Sequence, residues 1–409
     1  MTPGVLRFLH ASDLRLEQPP QGLAEIPEHL RDFFIEAPHR AATAVFDAAI
    51  AEKVDFLLLA GGVLDLASPT PRDIHFLITQ FQRLEAKGIP VYWAGGADDL
   101  PDRWPGGLPL PDNVHFFRTN RVESVFPQPE NRTGPVVMGI SGRAKIHAPD
   151  FAPPAGTKAA IAIALGEFEA EELEKQNIHY WAFGGRHDRH SILKPPKSGC
   201  WPGSPQGRRP SETGPHGCLL VEIDARLQPN TRFLVTDVLR YHTETLRLQN
   251  PIAPEELERR LLARTSRILA ENGGRPFLIE WQITAPGPAM PQQVVDQFTR
   301  RLRQEFAERD PWAWTTRIEW QPPSEYPEAW YEEDSLLGEF LRAAKNYQTG
   351  PDAFDLRRML PAQLPDERLA ALAGPLTEAQ RKQLWGRVVA LGVEQLRAEE
   401  PDRPKAGKA

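Results

Sequence analysis

The chain opens on a pattern of short apolar runs alternating with amphipathic stretches. Residues 6–9, 55–60, 89–94, 159–165 and 180–183 are continuous or nearly continuous apolar runs, each closing on Gly, Asp or another turn-forming residue. Runs of that length and ending suit strands buried on both faces. Shorter apolar stretches at 114–117, 121–126 and 136–140 predict further strands. Between them lie helical periods. Over 38–53, Ala41, Ala44, Val45, Ala48 and Ala49 share one face, and over 72–87 Ile74, Leu77, Ile78, Phe81 and Leu84 do the same, with Gly88 as the stop. A short helix is expected at 169–176, and residues 219–224 and 232–241 read as an antiparallel pair. Buried strands alternating with helices predict an α/β fold.

The pattern changes near Leu248. Residues 255–271 and 292–308 are amphipathic helices, while 277–284 and 314–320 read as strands. That arrangement of βαβ type predicts a small second domain. From Asp334 onward the chain is helical, at 334–347, more weakly at 354–360, and at 377–399. The expected division is therefore 1–247, an α/β cap at 248–330, a helical segment at 331–400 and a disordered polar tail at 401–409. No internal repeat is visible.

Composition narrows the function classes. The 409 residues are 41% hydrophobic and 25% charged, with a net charge of -7, which argues against a generally basic nucleic-acid coat. Cys200 and Cys218 are too few for a disulfide framework and suit two buried thiols in a reducing cytoplasm. Arg7, His10 and Asp13 interrupt the first apolar stretch, so a signal peptide is not expected there. No run of about 18 apolar residues occurs, so no membrane span is expected. The 41 prolines suggest many loops of fixed φ between packed elements.

The candidate chemistry sits at the strand ends, where open α/β sheets bind ligands. Four ends carry short loops: Asp13-Leu14-Arg15, Gly61-Gly62-Val63-Leu64-Asp65, Gly95-Gly96-Ala97-Asp98 and Gly184-Gly185-Arg186-His187. Their order and spacing resemble the calcineurin-like metallophosphoesterases, and more narrowly the SbcD and YhaO-type DNA repair exonucleases. The patterns of that family at these points are D-x-H, G-D-x-x-D, G-N-H-D and G-H-x-H. The segment Pro202-Gly203-Ser204-Pro205-Gln206-Gly207, followed by Glu212-Thr213-Gly214 and Gly217-Cys218-Leu219-Leu220-Val221, resembles its P-G-S-x-Q-G…E-x-G…G-x-x-L-V loop and strand. The resemblance covers nearly the whole chain. It implies a metallophosphoesterase-type two-sheet β-sandwich flanked by helices, with a small α/β cap domain and a C-terminal helical segment.

Two-metal phosphodiester cleavage needs two cations about 3.5–4 Å apart, held by several neutral or anionic ligands. Carried over from the resemblance, the first ligand falls on Asp13, which matches, and the next on Arg15, which does not. The bridging Asp falls on Gly62, the Asn on Gly96 and the catalytic His on Ala97. The next strand offers Leu165 where a His should close it. The final pair falls on Gly185, a loss, and on His187, a match. Asp65 and Asp98 match loop-supporting positions. The metal remnants are thus Asp13 and His187. Arg15 adds a fixed positive charge where a cation should sit, a repulsion of several kcal/mol at an effective dielectric of about 20.

The resemblance with these losses implies a catalytically degenerate member, a nucleic-acid-binding or scaffolding subunit, with no cofactor expected. The alternative is an active phosphoesterase or exonuclease with a reduced site for Mn or Zn, rebuilt from Asp13, Asp98, His187 and Asp99. On the bland reading, Asp13 pairs with Arg15 or Arg186 or accepts backbone N–H bonds. Arg15, Arg143, Arg186, Arg208 and Arg209 either converge on a cleft turned anion-binding, suited to DNA backbone, or pair with acidic neighbours. Trp93, Trp181 and Trp201 are expected in core or rim packing. Relatives of this kind pair with a coiled-coil ATPase of the SbcC/YhaN type, which the apolar arc of the last helix could dock, or that arc folds back on the cap. Because the run 56–61 keeps the strand and turn of the family, an Asp at position 62 is expected to be tolerated.

Overall fold

The structure is a computed structural model describing residues 6–23, 26–128, 130–131, 133–142, 148–166, 169–193, 195–248, 252–285, 290–321, 326, 328–349 and 378–398. These residues form two compact units. The first runs to His242 and takes in Gly274–Leu278; the second comprises Thr243–Gly273 and the chain from Ile279 onward.

In chain order the strands of the first unit are β1 (Leu6–Ala11), β2 (Phe56–Ala60), β3 (Val91–Ala94), β4 (Val114–Phe116), β5 (Glu123–Val125), β6 (Val136–Gly139), β7 (Ala160–Leu165), β8 (Tyr180–Gly184), β9 (His190–Ser191), β10 (Ser198–Trp201), β11 (Gly217–Ile223) and β12 (Pro229–Val235). They make two six-stranded sheets, ordered β12-β11-β1-β2-β3-β4 and β5-β6-β7-β8-β10-β9. Strand periodicity sorts their side chains into three layers. Phe56, Leu58 and Ala60 of β2 meet Ile161 and Ile163 of β7 and Tyr180 and Ala182 of β8 between the sheets. Leu57 and Leu59 face the other way, toward the helices α1 (Glu28–Ala51) and α2 (Pro71–Glu85). Ala160, Ala162, Trp181 and Phe183 form a third layer with Leu173 of the short helix α3 (Ala170–Glu174). Each fully buried Phe or Leu contributes about 1.5–3 kcal/mol. The unit is a two-sheet sandwich flanked by helices, as the apolar runs and the resemblance imply. Cys200 and Cys218 are buried free thiols. Trp93, Trp181 and Trp201 are buried in these layers.

Three boundaries differ from the pattern. Helix α1 starts ten residues before position 38, and Pro38 lies inside it. A proline reads as a helix start because it lacks the N–H that an interior turn needs. Here Leu30, Phe34 and Ala37 extend the buried face across it. The strand expected over 232–241 is broken at 236–239. The Thr236 hydroxyl donates to the Pro205 carbonyl at 3.1 Å and the Val238 N–H to Gln206 Oε1 at 2.9 Å. Buried Asp237 pairs with Arg240 and Arg275 at 2.8 and 3.3 Å. These bonds divert the backbone from the ladder. Strand β10, Ser198-Gly199-Cys200-Trp201, was hidden because it carries no apolar run. It pairs parallel to β8 all the same.

Strand β13 (Arg240–Arg247) leads into the second unit, followed by α4 (Pro254–Glu271), β14 (Phe277–Thr284), α5 (Gln292–Phe306), β15 (Ala313–Gln321), α6 (Glu328–Glu332), α7 (Leu336–Thr349) and α8 (Glu378–Ala398). The sheet order is β13-β14-β15. Leu337, Leu341 and Ala344 of α7 pack on Val389 and Val393 of α8. The segment expected at 354–360, the tail at 401–409 and Arg143 lie outside the described residues.

Candidate functional site: a closed cleft and an open basic pocket

The loops after β1 and β2 run side by side at one end of the first sheet. Their backbones are stitched together by Asp13 N–H to Gly61 carbonyl at 2.8 Å, Arg15 N–H to Gly62 carbonyl at 2.9 Å and Leu16 N–H to Val63 carbonyl at 3.3 Å. Asp13 and Arg15 both adopt left-handed backbone, with φ of 54° and 46°. Non-glycine residues seldom do so, and two in one turn mark a tightly constrained loop.

Asp13 is buried, and its Oδ2 accepts the Gly185 N–H at 2.9 Å. Of the partners considered for it, the structure uses a backbone N–H. Burial pushes its carboxyl above the usual carboxylate range, against the Gly185 N–H and the charge of His187. The Arg15 guanidinium bonds Asp98 at 2.5 Å.

Asp99 is the hub of the cleft. Its two oxygens accept from the N–H groups of Gly62 at 3.1 Å, Val63 at 3.1 Å and Gly96 at 2.6 Å, and from Trp93 Nε1 at 3.0 Å. Burial drives its pKa up to about 6, against those four donors. One carboxylate thus ties together the ends of β2 and β3.

The space where family ligands would project is occupied. A Cβ on Gly96 would lie 2.9 Å from Leu165 Cδ2, and one on Gly61 would overlap the same methyl. A Cβ on Gly62 would lie 2.5 Å from Asp13 Oδ1 and 3.0 Å from Asp13 Cα, on backbone with φ of 63°. The expectation that Asp is tolerated at position 62 is therefore corrected. The backbone follows the expected strand and turn, but Asp13 occupies the room a side chain would need.

A second arrangement lies beside this cleft, between the loop after β8 and residues 209–216. His187 Nδ1 and Glu212 Oε1 are 2.9 Å apart. Glu212 Oε2 also accepts the Arg208 N–H at 2.8 Å and lies 3.9 Å from the Arg208 guanidinium. Burial raises the Glu212 pKa, but His187 and Arg208 together outweigh it and bring it down to about 2. Arg208 itself is buried, bonding Gln18 at 3.1 Å, and burial lowers its pKa. It therefore does not present its charge to solvent. Arg186 and Arg209 line an open pocket of about 570 Å³ together with His187, Arg189 and Glu212. Of the four candidate arginines among the described residues, then, Arg15 and Arg208 turn inward and Arg186 and Arg209 come together at one mouth. Glu212 had no role in the sequence reading, although the E-x-G motif contains it.

Sequence comparison bears directly on this frame. A protein of Bacillus subtilis (strain 168) named uncharacterized metallophosphoesterase YhaO is 27% identical over 340 residues, covering 77% of this chain and 81% of that protein. The DNA double-strand break repair protein Mre11 of Saccharolobus solfataricus is 29% identical over 110 residues, 27% of this chain and 26% of that one. These similarities support a calcineurin-like metallophosphoesterase family for the chain. No protein-family model matches it. Two solved structures are similar with a TM-score of 0.34: the protein TT1561 of Thermus thermophilus, at 12% identity, and a dimetal phosphatase from Danio rerio, at 10%. Each covers 56% of this chain and is covered to 99%.

A family of this kind implies a metal pair, and the donor set here does not fit one. Asp98 is paired with Arg15, Asp99 accepts four N–H bonds, and His187 is paired with Glu212. Among the described residues no group of three His, Cys, Asp or Glu side chains is placed to hold a metal ion. Among the same residues no helix is long and apolar enough to cross a membrane.

Proposed function

We propose that this protein is a catalytically degenerate member of its family that binds phosphate esters of nucleic acid without cleaving them. The observation that carries the reading is the filled cleft: Leu165 over Gly61 and Gly96, and Asp13 over Gly62. Glycine and leucine offer no donor to a cation, and Arg15 brings a competing positive charge. The cation-binding role would thus have passed to internal bonds, with no cofactor retained. The DNA repair name of one relative supports DNA as the polymer, with contacts from Arg186 and Arg209. The cytoplasm is the proposed location.

The proposed partner is a coiled-coil ATPase of the SbcC/YhaN type. Exposed Leu384, Val388 and Leu391 on α8 follow helical spacing and support a docking stripe. Leu384→Asp with Leu391→Asp should abolish capture of that ATPase from a co-expressed pair, and undiminished capture would remove the stripe from the account.

Phosphodiester hydrolysis in Mn tests the degenerate reading. Wild type should show no turnover beyond a heat-inactivated sample. A Mn-dependent rate that disappears in Asp13→Ala would instead establish the alternative, an active enzyme with a reduced metal site.

A further inference from the structure

The pocket beside the closed cleft has unspent charge. Its lining carries three guanidinium groups, Arg186, Arg189 and Arg209, and two carboxylates, Asp188 and Glu212. Asp188 pairs with Arg186 at 3.4 Å. Glu212 is engaged by His187 and by the backbone and guanidinium of Arg208. Neither Arg189 nor Arg209 forms an ion pair among the described residues. Two positive charges therefore face the cavity uncompensated, on a chain whose net charge is -7.

Two of the three arginines, Arg186 and Arg189, also lie over aromatic rings. The Arg189 guanidinium lies 4.7 Å from the centroid of the Phe233 ring and that of Arg186 lies 5.8 Å from the Trp201 ring. A guanidinium over an aromatic face is attracted by the ring and can still donate from its N–H edges. Ser211 and Thr213 add hydroxyls to the same wall. A volume of about 570 Å³ is well within the range of small-molecule sites, roughly 300–1,000 Å³. Leu165, Asp13 and Asp99, which close the neighbouring cleft, do not line it.

We propose that this pocket is a phosphomonoester site, taking the terminal phosphate of a nucleotide or of a nucleic-acid strand, with Arg189 and Arg209 as its principal cations. Planar guanidinium groups suit phosphate oxygens because two parallel N–H bonds match two oxygens of the anion. His187 offers its remaining ring nitrogen to the ligand. The inference rests on the reading above that no metal claims His187. Free nucleotide and strand terminus share the recognised chemistry, so the probes separate them.

The experiment is calorimetric titration of the full chain with deoxyadenosine monophosphate, with deoxyadenosine, and with a trinucleotide bearing or lacking a 5′-phosphate. Binding should require the phosphate in both pairs. A response to the mononucleotide alone would make the ligand a free nucleotide, and a response to the trinucleotide alone would make it a strand end; each upholds the site. Arg209→Ala and Arg189→Gln should each weaken binding at least tenfold, with melting temperatures unchanged. Affinity should also fall steeply with added salt. Absence of binding by either phosphorylated probe, or equal affinity in wild type and both variants, would overturn the proposal and leave the degenerate reading standing. Hydrolysis of a bound probe in Mn would do the reverse.

Discussion

Two neighbouring regions of the first unit treat the same residue types in opposite ways. In the closed cleft, Asp99 accepts four N–H bonds, Asp13 fills the space over Gly62 and Arg15 is held by Asp98. In the open pocket, Arg189 and Arg209 keep their charges toward solvent-accessible space. On the proposed reading, the difference is that of a strand-end site that loses one chemistry without losing its frame. A carboxylate deprived of cations can persist by accepting backbone N–H groups, which are always present at a turn. An arginine at the surface has no such inward demand and remains available for a ligand.

The sharpest way to break this contrast is to remove its hub. Asp99→Ala leaves the N–H groups of Gly62, Val63 and Gly96 and the Trp93 indole without their acceptor. Each buried orphan costs about 1–3 kcal/mol, so a loss of about 4 kcal/mol is expected in urea unfolding of the first unit. A loss below about 1 kcal/mol would show that the cleft is held by other means.

The next effect compares adjacent arginines. Arg208→Ala should cost about 3 kcal/mol, because it removes a buried guanidinium and strips half-buried Glu212 of a cation. Arg209→Ala should stay within about 0.5 kcal/mol of wild type, as a pocket-lining residue without an ion pair. Equal costs in the same denaturation series would erase the distinction between inside and outside.

Gly62→Asp should follow, at about 2 kcal/mol, from left-handed backbone and the encounter with Asp13. Neutral or stabilising behaviour on thermal unfolding would mean that Asp13 yields easily.

The remaining effects are in the pH profile, and they have opposite signs. Asp99 has a folded pKa raised to about 6 from 3.8, so its contribution is fully present below pH 3.8 and is lost as pH rises through 6. Glu212 has a folded pKa lowered to about 2 from 4.5, so its contribution is present above pH 4.5 and is lost as pH falls toward 2. Stability of Glu212→Gln measured from about pH 5 down to about 2 should fall less steeply than that of wild type. Asp99→Asn should flatten the decline between about pH 4 and 6. Parallel profiles for wild type and variants would contradict both assignments.

The frame was legible where local pattern and tertiary outcome agree. β2, β7 and β8 announce themselves because strands covered on both faces need uninterrupted apolar runs. Pro38 misled because its fit inside α1 depends on the buried face that Leu30, Phe34 and Ala37 provide around it. The break at 236–239 is set by bonds from Pro205 and Gln206, far away in the chain. The site divides in the same way. Missing donors are visible as Gly62, Gly96, Leu165 and Arg15, since a residue type either has a ligating atom or lacks one. What replaced them was not visible. The Asp13 carboxylate over Gly62, the four bonds to Asp99 and the inward turn of Arg208 each depend on distances between segments that no spacing encodes.

The central claim is that bonds within the protein have taken the place of bound cations. Its most direct measurement is the metal content of the purified chain by elemental analysis, after incubation with excess Mn or Zn and exhaustive dialysis. The account predicts no stoichiometric metal, in wild type and in Asp13→Ala alike. Two ions retained per wild-type chain, and lost in Asp13→Ala, would contradict it.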